Sequence, residues 1–556
     1  MLDIAHPPLT TLRVENAGGE ARAAALAVLA EANMGTAGFV DYHSGGTVLI
    51  VGPVDRAIGA ARALADSLRC LIVAEDDGQA ADLSDYLLAR GRPQLEGHLG
   101  AFVATLETGQ GAVDLATLAR GERPVFDLVL DVADQPVMAV EKPPIGYHRT
   151  GADPQALSDA LVMLPEMVGE FQKPKFFAYD EHICAHGARG LSGCTRCLDA
   201  CATGAIRSLG EMIEVDPYLC QGCGSCATTC PSGAIAYAYP HARDLLGALR
   251  RALKAYTAVT SESPVVLFHD DEGGAEMLSA QGDRLPGRAI PVPVEDTGSL
   301  GPDVWLTTLA FGASDVVILQ PDDAEPSVLD ASATQHALFT PVLEALQLEP
   351  ARIGLLHGAA ALDQWLEAGS LHAAHGRQTT RFSIAGGKRD RLQVAFTELY
   401  RPSRDTATTP LPAGAPFGQI EVDRDACTLC MACAAVCPVE AISSGGGEPR
   451  LLFDESHCVQ CGLCEQACPE DAISLDPRLH LPAFARPEPR VLNEETPFHC
   501  VSCGKAFATE KMISRVTEQL AGHWMFRDER ARRRLEMCED CRVRDLFDDE
   551  EAVGKP

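Results

Sequence analysis

The chain has 556 residues, with 46 Lys and Arg against 78 Asp and Glu for a net charge of −32, and 46% of it is apolar. Single cores rarely exceed about 250–300 residues, so this length implies several domains, and the apolar content excludes wholesale disorder. So acidic a balance argues against nucleic acid as a partner and favours protein partners with basic docking faces.

No apolar run reaches the roughly 18–20 residues needed to span a bilayer. The opening stretch, "MLDIAHPPLTTLRVENAGGE", has neither a basic n-region nor an apolar h-region. The expectation is therefore an unexported, cytoplasmic chain, in which 21 cysteines are ligands rather than disulfides.

Residues 1–140 are expected to form a Rossmann-like α/β domain. Within them "GTVLIVGPVDRAIGAARALADSLRCLIVAED" alternates strand, turn, amphipathic helix and strand. Gly52 and Gly59 stand in the turn, but the G-x-G-x-x-G fingerprint is missing, so the reading is a structural scaffold without FAD or NAD. Glu75 ends the second strand where a ribose-binding acid sits in nucleotide-binding domains, and Cys70 reads as a small core residue. A further strand, "FDLVLDV", precedes a linker or helical segment over 141–176.

Residues 177–240 read as a first ferredoxin module. Cys220, Cys223, Cys226 and Cys230, followed by Pro231, match the C-x2-C-x2-C-x3-C-P run that binds [4Fe–4S] cubanes. Cys194, Cys197 and Cys201 keep the tail of such a run, but nine residues separate Cys184 from Cys194 and Ala202 replaces the proline. We read this as a working motif opened by an inserted loop. His182 and His186 flank Cys184, either as polar loop residues that tune a cluster through hydrogen bonds or as iron ligands.

Residues 241–400 carry short apolar strands ("SPVVLFHDD", "RAIPVPVEDTG", "ASDVVILQP", "ARIGLLHG") alternating with helical stretches, the pattern of an α/β domain with a parallel sheet. A Pro/Thr/Ala-rich linker over 401–418 leads into a second ferredoxin module, 419–478. There Cys427, Cys430, Cys433 and Cys437 precede Pro438, and Cys458, Cys461, Cys464 and Cys468 precede Pro469.

The four runs form an internal repeat. Asp180, Asp216, Asp423 and Asp454 each stand four residues before a first cysteine, and Ala-Ile pairs begin at Ala205, Ala234, Ala441 and Ala472, four residues after each last one. Two-cluster ferredoxins cross-ligate, the fourth cysteine of each run serving the other cluster. This predicts Cys184, Cys194, Cys197 and Cys230 on one cluster, with Cys220, Cys223, Cys226 and Cys201 on its neighbour. In the second module it predicts Cys427, Cys430, Cys433 and Cys468, then Cys458, Cys461, Cys464 and Cys437. Four [4Fe–4S] clusters follow.

Residues 479–556 place Cys500 and Cys503 against Cys538 and Cys541 across 34 residues with helical apolar spacing. Two C-x2-C knuckles suit one tetrahedral metal, Zn²⁺ in a zinc-ribbon-like module, with a rubredoxin-like iron as the alternative. The fold class expected for the whole is multidomain α/β plus α+β.

The two cysteine modules resemble bacterial polyferredoxins. The stretch "RAIPVPVEDTGSLGPDVWLTTLAFGASDVVIL" is similar to the delta subunit of methyl-viologen-reducing hydrogenase, a family often joined to the flavoprotein of heterodisulfide reductase. That family carries a cysteine where Val294 and Glu295 stand, so the resemblance implies its α/β fold without its two-iron cluster. The N-terminal βαβ unit and "GHLGAFVATL" are similar to the heterodisulfide reductase flavoprotein itself, apart from the missing fingerprint.

The stretch from "FDLVLDVADQPV" through "GCTRCLDACATGAI", with the C-terminal cysteines, is similar to a proteobacterial group of 4Fe-4S binding proteins associated with molybdenum or tungsten formate dehydrogenases. The resemblance implies electron transfer with such a dehydrogenase as partner. Two further readings stay open at this point: an oxidoreductase subunit holding flavin or nicotinamide, and a maturation or docking scaffold for a molybdenum enzyme. No Ser/His/Asp, P-loop or zinc-hydrolase motif is present.

Overall fold

The computed structural model describes residues 17–549 apart from 33–34, 36–37, 76–87, 109–110, 118–124, 370–371, 373–381, 383, 401–407 and 447. It is a mixed α/β structure with several separate sheets. Among the described residues no helix is long and apolar enough to cross a membrane.

The run "TVLIVGP" forms the central strand Thr47–Pro53 of a five-stranded sheet. It pairs in parallel with Arg69–Glu75 on one side and Leu128–Asp131 on the other. Leu88–Arg90 and Tyr147–Arg149 are the edges. Its strands are almost wholly apolar because both faces are covered. Helix Val54–Leu64 buries Val54, Ala57, Ile58 and Leu64 on one face, and Leu95, Phe102 and Leu106 pack on the other.

Several boundaries drawn along the sequence look different in three dimensions. Segment 141–176, read as a linker or helical stretch, supplies strand Tyr147–Arg149 to the five-stranded sheet. It also provides helix Pro154–Met163, capped by Asp153, and strand Gly169–Pro174, which pairs antiparallel with Phe39–Ser44. The described part of the 401–418 linker buries Leu411, Ala415 and Phe417 in the core of the middle unit. Conversely, helix Ala17–Ala30 leaves the first unit to pack against helix Ala242–Val259 in that same core. Its buried contacts are Ala21, Ala25 and Leu29, side chains small enough for two helices to approach closely.

The middle unit is a four-stranded parallel sheet in the order Ala289–Val294, Val265–Asp270, Asp315–Gln320, Ile353–His357. Trp305, on helix Pro302–Ala310, and Phe396, on helix Lys388–Leu399, are fully buried in its core. A two-pronged ion pair ties those helices: Arg391 Nε and Nη2 donate to Asp303 Oδ2 at 2.8 and 2.7 Å. Asp303 is only 4% exposed.

The first cysteine module pairs Phe177–Tyr179 with Ile235–Tyr237 and Ile206–Ser208 with Ile213–Val215. The second repeats this with Gly418–Val422 on Ile473–Leu479 and Ile442–Gly445 on Glu448–Phe453. Beyond it a short hairpin, Pro497–His499 with Ala506–Thr509, leads into helices Glu510–Leu520, Glu529–Leu535 and Glu539–Phe547.

Removing one partner of a buried ion pair leaves the other charge uncompensated. Arg391→Met is therefore expected to destabilise the middle unit by about 3–5 kcal/mol, and Arg391→Met with Asp303→Leu to recover most of that loss. Urea titration followed by the fluorescence of the buried Trp305 measures both.

Candidate metal centres

Tertiary folding gathers the cysteines of the two modules into quartets. Cys184, Cys194, Cys197 and Cys230 line one cavity. Cys437, Cys458, Cys461 and Cys464 line a second, and Cys427, Cys430, Cys433 and Cys468 a third. In the fourth set, Cys201, Cys220 and Cys223 are the neighbouring thiols that, after burial itself, push Cys226 up most. Every set takes three sulfurs from one run and the fourth from its partner run.

The repeat residues explain how this happens. The Asp180 N–H donates to Ala234 O at 2.8 Å, and Asp216 N–H to Ala205 O at 2.8 Å. Asp423 N–H donates to Ala472 O at 2.9 Å, and Asp454 N–H to Ala441 O at 2.8 Å. Each bond runs from the start of one run to the end of the other, so the halves of a module are tied reciprocally. The Asp side chains then turn the chain into the cysteine loop: Asp216 Oδ1 accepts from Tyr218 N, Asp423 Oδ1 from Asp425 N and Asp454 Oδ1 from Ser456 N, at 2.8–2.9 Å. The opened run obeys the same rule, with Asp180 Oδ1 accepting from His182 N.

Left-handed backbone recurs as well. Gly204, Gly233, Glu440 and Asp471 stand three residues after the last cysteine of each run, all with φ between 48° and 80°. Gly222, Leu429 and Gln460 hold φ of 54–80° between the first and second cysteines of the other three runs. Alternating handedness turns successive N–H groups towards one concavity, which suits an anionic centre. This pattern is invisible in the residue types, because Leu, Gln, Glu and Asp hold it as well as Gly.

The donor set fits iron–sulfur clusters. Burial, followed by neighbouring thiolates, pushes Cys197 up to about 12 and Cys464 further, and burial followed by the Asp296 carboxylate pushes Cys223 up to about 12. A metal core bound there would hold such crowded thiols as thiolates, and its binding would have to displace their protons. Ala472 N and Gln460 Nε2 each donate to a cysteine sulfur at 3.3 Å, Cys468 and Cys458 respectively. Cationic side chains also point at the loops. Lys173 Nζ donates to Cys220 O at 2.7 Å, and burial pulls it down to about 8. Lys388 Nζ donates to Ala227 O and Thr228 O at 2.9 and 2.6 Å.

His186 is engaged on both ring nitrogens: Nδ1 donates to Cys194 O at 2.9 Å and Nε2 accepts from Ser208 Oγ at 2.7 Å. It pins the inserted loop to strand Ile206–Ser208 rather than offering a lone pair to iron. Gly52 has its own structural reason: at φ 146°, a Cβ there would stand 2.7 Å from the Val132 backbone. Beside the Cys220–Cys226 loop, at the carboxyl ends of the middle sheet, lies an acidic cleft of about 590 Å³. It is lined by Gln221, Asp270, Glu295, Asp296 and Glu325, with Lys142 between the acids. Burial lifts Asp296 to about 7 against the pull of Lys142.

The sulfurs of Cys500, Cys503, Cys538 and Cys541 all lie within 4.8 Å of one another. Metal–sulfur bonds of about 2.3 Å in a tetrahedron put sulfurs about 3.8 Å apart, and Cys503 Sγ and Cys538 Sγ are 3.7 Å apart. The set fits one tetrahedral metal, and its chemistry serves zinc and iron alike. His523 caps the turn Trp524–Phe526 by accepting from Met525 N.

A family model described as a 4Fe-4S dicluster domain matches residues 426–473, and one described as a 4Fe-4S binding domain matches 212–235. The chain carries two iron–sulfur binding domains. The second match begins after the opened run, so the assignment of Cys184–Cys201 rests on geometry. No curated protein matches the chain.

Two outcomes follow. Cys538→Ser should remove about one metal atom per chain and leave iron and sulfide in the modules unchanged, read by elemental analysis. Because burial pushes thiols such as Cys197, Cys226 and Cys464 up, loading the modules with iron should release protons and weaken as pH falls, which pH-stat reconstitution of the apo-protein measures.

Proposed function

We propose that the chain is an iron–sulfur electron-transfer protein. Its four [4Fe–4S] clusters would relay single electrons between an oxidoreductase and a second carrier. The observation that carries this reading is the gathering of sixteen module cysteines into four cross-run quartets. When bound, the clusters supply the redox chemistry. The chain's own part is to hold the sulfurs, exclude water from them and offset their charge with N–H groups and buried cations.

Surface charge supports a basic partner. The acidic cleft presents its negative field beside the Cys220–Cys226 loop, and such complementarity raises association rates. At the other end Cys430 is exposed, while Cys433 of the same quartet is buried. Cys430 thus offers a partner an approach to the second module. The resemblance to formate dehydrogenase-associated proteins makes a molybdenum or tungsten formate dehydrogenase the proposed partner, and Cys500, Cys503, Cys538 and Cys541 hold one Zn²⁺ in this reading.

Anaerobically purified protein should contain about 16 iron and 16 sulfide with about one zinc, and should be reduced reversibly. About 12 iron would mean an empty quartet, with the Cys184 set the first suspect. Clusters that resist reversible reduction while the chain still binds an apo-dehydrogenase would replace the relay with a scaffold.

A further inference from the structure

A C-x2-C start needs no insertion such as the loop that opens the first motif to hold a cluster, since three other runs close around theirs with two residues where the opened run has nine. The position of the inserted loop suggests a different task. The loop forms a small hairpin, Gly187–Ala188 against Leu191–Ser192, whose second strand packs on helix Leu463–Gln466 of the other module. Ser192 O accepts from Gln466 Nε2 at 3.0 Å. Gly193 lies so close that an added Cβ would stand 3.1 Å from the Leu463 side chain. Leu463 is 0% exposed. Next to Gly193 is Cys194; on either side of the Leu463–Cys464 bond lie Cys461, two residues back, and Cys464 itself. A single van der Waals contact therefore joins residues adjacent to ligands of two quartets from different modules. Arg196, between Cys194 and Cys197, adds a hydrogen bond to Gly414 O at 2.8 Å.

A second contact bridges the same pair of quartets. Lys388 and Arg389, consecutive at the start of helix Lys388–Leu399, reach in different directions. Lys388 is 8% exposed and donates into the Ser225–Thr229 helix that leads to Cys230. Arg389 Nη2 donates to Ser456 O and Cys458 O at 2.6 and 3.1 Å. Cys230 belongs to the quartet of Cys194, and Cys458 to that of Cys461 and Cys464.

We propose that the inserted loop 185–193, backed by Lys388 and Arg389, is the electron bridge between the modules, joining the Cys184/Cys194/Cys197/Cys230 cluster to the Cys437/Cys458/Cys461/Cys464 cluster. Electrons would then pass through the quartets in sequence, with the Cys201/Cys220/Cys223/Cys226 and Cys427/Cys430/Cys433/Cys468 sets as the first and last. In the bridging step one electron leaves the reduced cluster of one module and reduces the oxidised cluster of the other, with no bond made or broken. This inference rests on the relay reading.

Deleting residues 187–193 turns the opened run into C-x2-C-x2-C-x3-C, the spacing of its three siblings, so cluster binding has a route to survive. The test compares the fully reduced holoprotein with this variant by EPR. Freeze-quench experiments also follow the appearance, in one module, of an electron delivered to the other. The expected result is unchanged iron and unchanged spin–spin broadening, since the frame of helix Lys388–Leu399 and Phe417 keeps the modules in place, with slower electron transfer between modules. An unchanged transfer rate in the deletion variant would overturn the bridge. If the deletion loses iron, Arg196→Ala with Gln466→Ala keeps every cysteine spacing and removes both docking hydrogen bonds. It should slow the same transfer, and an unaltered rate would again overturn the bridge. Failure of the wild-type clusters to reduce reversibly would instead count against the relay itself. Clusters that reduce normally in wild-type protein but show two magnetically independent modules would refute only the bridge.

Discussion

Each cysteine module depends on one constraint: the backbone hydrogen bond from the aspartate before one run to the alanine after the other. A single such bond nets only about 0.5–1.5 kcal/mol, so its importance lies in register rather than stability. Three sulfurs of each quartet come from one run and the fourth from the other, so neither half assembles a site alone. Fixing the two ends of the repeat against each other sets the distance across which the fourth sulfur must reach. The opened run keeps its bond despite the nine residues between Cys184 and Cys194, because the insertion leaves and returns inside the tie.

Charge is distributed unevenly between surface and interior. A chain of net charge −32 nevertheless places Lys173, Lys388 and Arg389 against the carbonyls that surround its cysteines. Desolvation pulls all three towards their neutral forms, opposed by Cys220 at Lys173, by Asp303 and then Cys230 at Lys388, and by Cys458 at Arg389. Burying a cation is costly unless something anionic shares the cost. The thiolate-rich centres are the natural counter-charge, and the same cations tie separate units together: Lys173 reaches from the first unit to the first module, and Arg389 from the middle unit to the second.

The α/β units thus act as a frame. Helix Lys388–Leu399 is held by Arg391 against Asp303, and that anchor aims Lys388 and Arg389, three and two residues earlier, at the modules. Phe417, at the start of the second module, stacks edge-on with Phe339 and Phe396 of the middle unit and with Phe484 beyond the module. The C-terminal hairpin and helix make their own attachment to the second module, through Thr509 Oγ1 to Thr428 O at 3.3 Å and the ion pair of Arg515 with Glu470. Position and orientation of the metal-binding modules are consequences of this packing.

The residues by themselves determined the chemistry. Cysteine spacing, the Asp and Ala-Ile flanks and the paired knuckles are local patterns whose meaning survives without coordinates, because metal geometry dictates them. The apolar strands of both parallel sheets were legible for a similar reason, since a strand covered on two faces must be apolar along its length. Only the tertiary structure decided the rest. Helix Ala17–Ala30 reads as a plain alanine-rich segment, and nothing local says that it crosses to the middle unit. Segments rich in Pro and Gly looked like linkers, yet Phe417 and Tyr147 are core residues, because burial depends on what arrives from elsewhere in the chain. Likewise the nine-residue loop looked like a gap in a motif. Its contact with Leu463 joins positions 270 residues apart, a separation at which sequence pattern carries no information about proximity.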